Sequence, residues 1–310
     1  MGRRATPGDG VTLLNELRAI LAADLPDQDD PHKLAVVLYN RCYTESIFDP
    51  PSTQTSEEDL TEVLTAANQS RATWDEGWKI DQLLDGGRIL ARKGGAARSF
   101  LPGEYLTHRG IGSGPEAGAR VSILAPRGSA ELQAGYYYAF SETVSEFDEG
   151  ERTVRFFWNV TREGAPRLME TITRAFNRFQ IPFRFKCPAR ASAYPRRDAA
   201  VLYFDARYYS IAALVAESVY ARVRSWLDAG TPLFTKHLAD GLAFAEDPGG
   251  SFGENRMKIL AAAMAASAGK PVEERLREVR KQFEQRGLSF DQPWLNPASV
   301  DRYDFPLPVA

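Results

Sequence analysis

The stretch Ile181–Pro–Phe–Arg–Phe–Lys186, with Ala199–Ala–Val–Leu–Tyr–Phe204 after it, is typical of two neighbouring β-strands. Side chains alternate between the two faces of a strand, so Arg184 and Lys186 share the face opposite the phenylalanines. Apolar residues recur at helical spacing just before this pair, at Leu168, Ile172, Ala175, Phe176 and Phe179. The pattern therefore predicts a helix that packs on an antiparallel sheet.

Further short strands precede this pair. Runs of β-forming residues bounded by Gly, Pro and Asp occur at Arg88–Arg92, Ala119–Leu124, Gly135–Phe140 and Thr153–Trp158. Hairpin-like spacing of such runs favours antiparallel pairing. We expect a central, mainly antiparallel β-sheet packed by helices.

Helical patterns occupy both ends of the chain. Apolar spacing predicts N-terminal helices over about Val11–Leu25, from Pro31 through Tyr39 and over Glu57–Asn68. The C-terminal third carries similar patterns over Ile211–Leu227, Gly253–Ala268 and Pro271–Arg286, followed by a proline-spaced tail expected to form an irregular strap. The predicted class is α+β, with an N-terminal helical region (residues 1–75) and an α+β catalytic domain with C-terminal helices (residues 76–310).

Composition limits the functional classes. The 310 residues carry 38 Lys plus Arg against 41 Asp plus Glu, a net charge of −3, which gives no reason to expect nucleic acid or an anionic membrane as partner. The polar first ten residues lack a signal-peptide pattern, and no stretch approaches about 18 apolar residues. Only Cys42 and Cys187 are present, so we expect a cytoplasmic protein without a disulfide framework.

A group of basic residues suggests an anion site. Arg184 and Lys186 share a strand face, and the loop that follows carries Arg196 and Arg197 towards the next strand. Arginine binds phosphate bidentately and stays charged, whereas a lysine crowded by cations can lose its proton. Lys186 is therefore a candidate general base for removing an α-proton from a phosphoamino acid. A solvated or ion-paired strand face would give the same pattern.

A second group lies further along the chain. Ser251 and Glu254 match a capping box for the following helix, although exposed amides at a helix start also attract anions. With Lys236 and Arg256 nearby, both capping and contact with a phosphate or acidic peptide are open. On the strand before the central helix, Arg155 could bind the peptide or the phosphate, or belong to a polar network at the strand end.

Histidine is scarce, and other cofactor motifs are missing. His108 precedes a glycine-rich loop and could protonate a leaving phosphate, or simply occupy a surface turn. No metal-binding His/Cys spacing occurs, and the P-loop, the kinase motifs and the GxSxG elbow are absent. The sequence therefore predicts neither a metal nor any other cofactor.

Four motifs together resemble one known family. They are Val154–Arg–Phe–Phe–Trp–Asn159, Asn177–Arg–Phe–Gln–Ile–Pro–Phe–Arg–Phe–Lys186, Tyr194–Pro–Arg–Arg–Asp198 and Ala245–Glu–Asp–Pro–Gly–Gly–Ser–Phe–Gly253 with Arg256. In this order they resemble the Hop-A-type effector family, whose members include phospholyases of class V lanthipeptide and thioamitide biosynthesis. The resemblance extends from about Leu101 to Met264.

The resemblance implies a phosphoserine/phosphothreonine lyase. Such family members eliminate phosphate from a precursor peptide that a partner Ser/Thr kinase, of the aminoglycoside-phosphotransferase-like type, has phosphorylated, and they leave dehydroalanine or dehydrobutyrine. By the motifs, Lys186 matches the family lysine, and Arg196 and Asp198 match its Tyr-x-Arg-x-Asp motif. The resemblance also favours Arg155, Lys236 and Arg256 as contacts to phosphate or peptide.

Several alternatives stay open at this stage. The general acid could be His108, Tyr194 or a lysine, or the phosphate could leave without protonation. The chain could instead be a non-catalytic partner that binds a phosphopeptide, a leader peptide or the kinase. It could also be a translocated effector that acts on a phosphoprotein of a host.

Overall fold

Two antiparallel sheets and two groups of helices make up the computed structural model, which describes residues 7–50, 56–108, 114–144 and 152–306. The α+β class predicted from the sequence is confirmed. The helices, numbered in chain order, are α1 Pro7–Ala22, α2 Pro31–Leu38, α3 Thr61–Ala67, α4 Ala165–Arg178, α5 Tyr209–Val223, α6 Phe252–Ala266 and α7 Val272–Glu284. A π-helical turn, Tyr39–Tyr43, continues α2.

The larger sheet has seven strands in the order β11-β12-β8-β10-β9-β7-β6, and every neighbouring pair is antiparallel. Its strands are β6 Gly128–Ser129, β7 Tyr136–Phe140, β8 Thr153–Trp158, β9 Arg184–Pro188, β10 Ala200–Asp205, β11 Lys236–Ala239 and β12 Leu242–Glu246. The predicted strand pair around Lys186 thus lies near the middle of this sheet, as β9 and β10.

The smaller sheet has five strands in the order β3-β2-β1-β5-β4. They are β1 Thr73–Leu83, β2 Ile89–Lys93, β3 Ala96–Phe100, β4 Tyr105–Thr107 and β5 Arg120–Ala125. A separate small core, with Trp78, Ile89 and Val121 fully buried, holds this sheet together. The long strand β1 was not predicted.

Helices α4 and α5 cover one face of the larger sheet. Phe176 of α4 packs against Phe204 of β10, and Tyr209 of α5 packs against Phe156 of β8. The packing of α4 on the sheet follows from the amphipathic spacing that predicted a helix over 168–179, because Leu168, Ile172 and Phe176 face the sheet and are fully buried. The predicted packing of a helix on the sheet is confirmed.

Helix α6 covers part of the opposite face, where Phe252 packs against Phe157 of β8. The N-terminal helices then pack on this C-terminal layer, α2 against α6 and α1 against α7. Asp30 starts α2 by accepting hydrogen bonds from the amides of His32 and Lys33. The core of the larger sheet includes residues from both ends of the described chain. The domain boundary expected at residue 75 stays a prediction, because the N-terminal helices share this core.

The proline-spaced tail crosses the surface of this layer without regular secondary structure as far as residue 306; the end of the predicted strap lies outside the described residues. Trp294, Leu295 and Tyr303 bury their side chains against the core. Tyr303 donates a hydrogen bond of 2.6 Å to Glu246 at the end of β12. The tail therefore belongs to the folded unit.

Candidate functional site

Strand register brings basic and aromatic side chains together on the face of the larger sheet that carries α6, in the part that α6 leaves uncovered. Arg155 on β8 lies opposite Tyr203 on β10, which lies opposite Arg184 on β9. Lys186 lies two residues further along β9, opposite Tyr138 on β7. Paired residues in an antiparallel sheet share a face, so these side chains form one surface. We call this surface, with Tyr136 and the neighbouring loop residue Arg196 included, the cationic face.

Lys186 lies in a partly buried aromatic setting at the centre of the cationic face. Its Nζ lies 4.5 Å from the ring centre of Tyr136 and 5.9 Å from those of Tyr138 and Tyr203. Nζ also donates a hydrogen bond of 3.2 Å to Oε1 of Gln133, which accepts a second bond, 2.6 Å long, from the Tyr138 hydroxyl. The amine is thus oriented by one carbonyl oxygen and three rings.

The surroundings of Lys186 lower its pKa to about 8. Burial is the largest cause, because it penalises the ammonium; the charge of Asp198 acts in the opposite direction, and Arg155, Arg196 and Arg184 lower the pKa further. The ring faces also favour the charged form. About a tenth of the amine is therefore neutral at pH 7, far more than for a lysine with the ordinary pKa, and the neutral form is the one that a proton-abstracting base requires.

Arg155 is buried and held by the loop that follows β12. Its Nη2 lies 2.7 Å from one carboxylate oxygen of Asp247 and also donates to the carbonyl of Gly250, and its Nε lies 3.3 Å from the second carboxylate oxygen. The guanidinium stacks over Tyr203 at 4.9 Å. Asp247 also accepts the amide of Gly249 at 2.8 Å, so one aspartate shapes the loop and orients the arginine.

Arg196 is held in a similar way by Asp198, two residues away. Nε and Nη2 of the guanidinium contact the two carboxylate oxygens at 2.6 and 3.1 Å, and Nη2 also donates to the hydroxyl of Tyr39 at 3.2 Å. Tyr39 belongs to the π-helical turn after α2. The N-terminal helices therefore contribute directly to the position of this arginine.

Both guanidinium groups keep donors available. Within the described part of the chain, Nη1 of Arg155 and Nη1 of Arg196 take part in no hydrogen bond, because each aspartate engages the Nε and Nη2 side. An arginine carries five N–H donors. A phosphate could therefore be bound without breaking either ion pair.

A cavity of about 340 Å³ adjoins the cationic face and lies between the two sheets. Arg184 and Tyr203 line it from the larger sheet, and Trp78, Arg98 and Phe100 line it from the smaller one. Arg184 lies over the same Tyr203 ring, at 5.6 Å, that Arg155 stacks on. The cavity and the Lys186 surroundings thus share one aromatic wall.

Among the predicted acids, neither residue projects into this group. The Tyr194 side chain is buried, its hydroxyl donates to the carbonyl of Pro188 at 3.2 Å, and burial raises its pKa well above the ordinary value. His108 lies at the end of β4 on the smaller sheet, where Nε2 is 3.0 Å from Oγ of Ser122. An acid role for either residue stays a prediction that these contacts do not favour.

Arg197 and Lys236 are engaged in contacts that tie chain segments together. Arg197 forms an ion pair of 2.7 Å with Glu16 of α1 rather than joining Arg196 on the cationic face. Lys236 donates to both carboxylate oxygens of Asp301 and to the carbonyl of Tyr303 in the tail. Phosphate binding by these two residues stays a prediction, and their present partners favour a structural role.

Arg256 and Ser251 have structural contacts as well. Arg256 is fully buried and donates to the carbonyls of Pro293 and Leu295 at 2.8 and 3.0 Å, which fixes the tail. Ser251 accepts the amide of Glu254 at 3.3 Å and so caps α6. The capping interpretation explains Ser251, while a phosphate contact at either position stays a prediction.

Five residues of the site were not predicted as site residues from the sequence: Gln133, Tyr136, Tyr138, Tyr203 and Asp247. The tyrosines look like ordinary sheet residues, because nothing in a single strand reveals that one of its faces meets a lysine on the neighbouring strand. Asp247 pairs with an arginine 92 residues distant. Strand alternation could have grouped Tyr203 with Val201, but only the register joins it to Arg155 and Arg184.

The described residues contain no group of three or more His, Cys, Asp and Glu side chains arranged to hold a metal ion. Cys42 and Cys187 are both buried thiols, and burial raises the pKa of each. Within the same residues, no helix combines the length and apolarity needed to cross a bilayer.

Comparisons with known proteins agree with the geometry at the level of family and fold. The sequence model of the HopA1 effector protein family matches residues 128–295, which include the entire cationic face. A solved structure, the effector protein from Pseudomonas syringae pv. tomato strain DC3000, superposes with a TM-score of 0.52 at 16% identity, over 94% of this chain and 98% of that one.

A second solved structure is the effector protein from Pseudomonas syringae pv. syringae strain 61. It gives a TM-score of 0.53 at 15% identity, over 95% of this chain and 100% of that one. At such identities the likeness concerns the fold alone. No curated protein matches the chain.

Proposed function

The chain belongs to the HopA1 effector protein family, and we propose that it is a phosphoserine/phosphothreonine lyase. Its substrate would be a precursor peptide of lanthipeptide or thioamitide biosynthesis, phosphorylated by a partner kinase. The product would be dehydroalanine or dehydrobutyrine. The observation that carries the proposal is Lys186, a partly buried amine with a pKa of about 8 on a face that also bears three arginines.

Proton abstraction would begin the reaction. The neutral Lys186 amine takes the α-proton and becomes an ammonium, and the electrons of the Cα–H bond are held as an enolate of the adjacent carbonyl. As these electrons form the Cα=Cβ double bond, the Cβ–O bond breaks with its electron pair on the phosphate oxygen. The phosphate takes up one proton, the ammonium returns one to solvent, and the net products are the dehydroamino acid and hydrogen phosphate.

The arginines would supply the electrostatic part of catalysis. Nη1 of Arg155 and Nη1 of Arg196 can donate to phosphate oxygens while Asp247 and Asp198 hold each guanidinium in place. Fixed donors of this kind stabilise charge as it develops on a leaving group without having to reorganise. Because charge neutralisation alone stabilises a departing anion, the proposal does not require His108 or Tyr194 as acid.

Three tyrosine hydroxyls on the same face are further hydrogen-bond donors that support electrostatic stabilisation of the phosphate. Burial raises the pKa of Tyr136, Tyr138 and Tyr203, so these side chains stay protonated over the working pH range and can donate hydrogen bonds. The peptide flanking the phosphorylated residue would extend into the cavity between the sheets, which begins at Arg184 and Tyr203.

The test is mass spectrometry of a synthetic phosphoserine peptide incubated with the protein, ideally the precursor encoded beside the gene. We expect loss of phosphoric acid, undiminished by EDTA. Lys186→Ala should reduce turnover by about 10²–10⁴-fold, the usual contribution of a positioned base. Lys258→Ala, on the solvent side of α6 with its side chain 66% exposed, serves as the matched control and should react like the original protein.

A second candidate function follows from the two similar solved structures, both of which are effector proteins from Pseudomonas syringae. In that case the substrate would be a phosphoprotein of a host, with the same chemistry at Lys186. A third candidate is a non-catalytic partner that binds a phosphopeptide, a leader peptide or the kinase. The observation that favours it is that Arg155 and Arg196 already form ion pairs with aspartates. Elimination from the precursor but not from unrelated phosphoproteins would favour the biosynthetic lyase, and tight binding without elimination would favour the binding partner.

A further inference from the structure

Helices α4 and α5 form an apolar groove on the side of the larger sheet that faces away from Lys186. The groove has a volume of about 840 Å³. Four large apolar side chains are exposed at its edges: Phe179 (51%), Ile211 (41%), Leu214 (60%) and Trp226 (40%). A contiguous apolar surface of this kind on a soluble chain commonly marks an interaction site.

The rim of the groove is strongly basic. Arg167, Arg174, Arg178 and Arg222 line it, and Glu170 is the acidic residue among its lining side chains, where it pairs with Arg174 at 2.8 Å and Arg167 at 3.7 Å. Arg178 and Arg222 form no ion pair within the described part of the chain. This local positive charge contrasts with the net charge of −3 for the whole protein. The rim is therefore complementary to an acidic partner.

We propose that this groove binds an acidic amphipathic α-helix of a partner protein. A helix that lies between two others buries an apolar stripe at i, i+3/i+4 and i+7 and leaves its polar face exposed. Helices α4 and α5 have 14 and 15 residues, so each spans about 21 Å and offers room for a partner helix of about four turns. Acidic residues beside the apolar stripe would meet the arginine rim.

Other occupants fit the groove less well. A second copy of this chain would bring one arginine rim against another, and like charges repel. An anionic bilayer would meet the arginines, but its surface is broad, whereas the apolar residues line a concave groove between two rods. The cationic face lies on the opposite side of the sheet, so a bound helix would leave Lys186 accessible; the inference does not depend on the proposed lyase activity.

The binding assay uses a fluorescein-labelled helical peptide of about four turns, with leucines at i, i+4, i+7 and i+11 and glutamates on the flanking positions. Its matched control has lysines in place of the glutamates. We expect fluorescence anisotropy to give micromolar binding of the acidic peptide and none of the basic one. Binding should also shift the emission of Trp226, identified by difference from a Trp226→Phe variant.

Substitutions then locate the bound peptide. Leu214→Glu should weaken binding of the acidic peptide at least tenfold, and Leu83→Glu, which is similarly exposed (52%) on the smaller sheet, should leave it unchanged. Arg178→Glu combined with Arg222→Glu should abolish binding of the acidic peptide and permit binding of the basic one. Equal binding of the two peptides, undiminished binding by Leu214→Glu, or binding to phosphatidylserine vesicles in preference to the peptide would each overturn the proposal.

Discussion

Lys186 should control the pH dependence of phosphate elimination. With a pKa of about 8, the neutral fraction of its amine is about 0.09 at pH 7 and about 0.9 at pH 9. We therefore expect kcat/KM to rise about tenfold between these pH values and then level off. A lysine with the ordinary pKa of about 10.4 would give a rise of nearly a hundredfold over the same range, without levelling.

Few other groups titrate in this window. The phosphate ester has its second pKa near 6 and is a dianion throughout. Tyr136, Tyr138 and Tyr203 have raised pKa values and stay protonated. The pH profile of kcat/KM reports the pKa values of the free enzyme, so the charge of bound substrate does not shift its inflection. A single inflection near pH 8 is thus the expected result of initial-rate measurements by mass spectrometry.

Two variants should move this inflection in opposite directions. Asp198 raises the pKa of Lys186, so Asp198→Asn should move the inflection to lower pH; Arg184 lowers it, so Arg184→Gln should move the inflection to higher pH. Lost substrate affinity changes the height of each profile but not the position of its inflection. A rate that keeps rising past pH 9, or two variants with an unmoved inflection, would refute the assignment of Lys186 as base.

Three stability predictions can be checked by urea unfolding. Arg256→Met should lower the free energy of unfolding by about 2–6 kcal/mol, because the carbonyls of Pro293 and Leu295 lose their donors at about 1–3 kcal/mol each; an unchanged midpoint would contradict the role of Arg256 in fixing the tail. Ser251→Ala should cost about 1 kcal/mol, and Ser251→Gly only a few tenths, if capping is the role of this serine. Lys186→Met should abolish elimination yet stabilise the fold at pH 7: the pKa of Lys186 is depressed, so the penalty on the buried ammonium is fully present below pH 8 and disappears as pH rises towards 10.5. A Lys186→Met advantage that did not shrink from pH 7 to pH 10 would contradict this linkage.

Local patterns were sufficient to predict most of the larger sheet and its helices. Strand alternation placed Arg184 and Lys186 on one face, and helical spacing predicted α4 to within a few residues. Ser251 and Asp30 start their helices as their side-chain chemistry indicates. In each case the information lies within a few neighbouring residues.

Strand β1 shows where such patterns fail. Its pairing with β5 shifts register between Asp75 and Trp78, and its pairing with β2 shifts between Ile80 and Gln82. Each irregularity interrupts the alternation of buried and exposed residues, so an 11-residue strand does not have a period of two in its sequence. The smaller sheet was therefore only partly predicted.

Charge partners were the least predictable part of the site. Arg197 and Lys236 are residue types that commonly bind phosphate, yet they pair with Glu16 and Asp301, which lie far away along the chain. Long-range pairing depends on how helices and tail pack, and no local pattern encodes it. For this reason only the structure separates the basic residues on the cationic face from those that hold chain segments together.

The arginines of the cationic face have two connected tasks. A bound phosphate dianion adds negative charge beside Lys186 and by itself would raise the pKa of the amine, which would protonate the base. Arg155, Arg184 and Arg196 act in the opposite direction, so the side chains that bind the phosphate also preserve the neutral lysine. We therefore expect the inflection of kcat, which reports the complex, to lie at higher pH than that of kcat/KM, and we expect replacement of any one of these arginines to move both inflections to higher pH. Phosphate binding and base strength are then one electrostatic property of this face, and neither can be changed without the other.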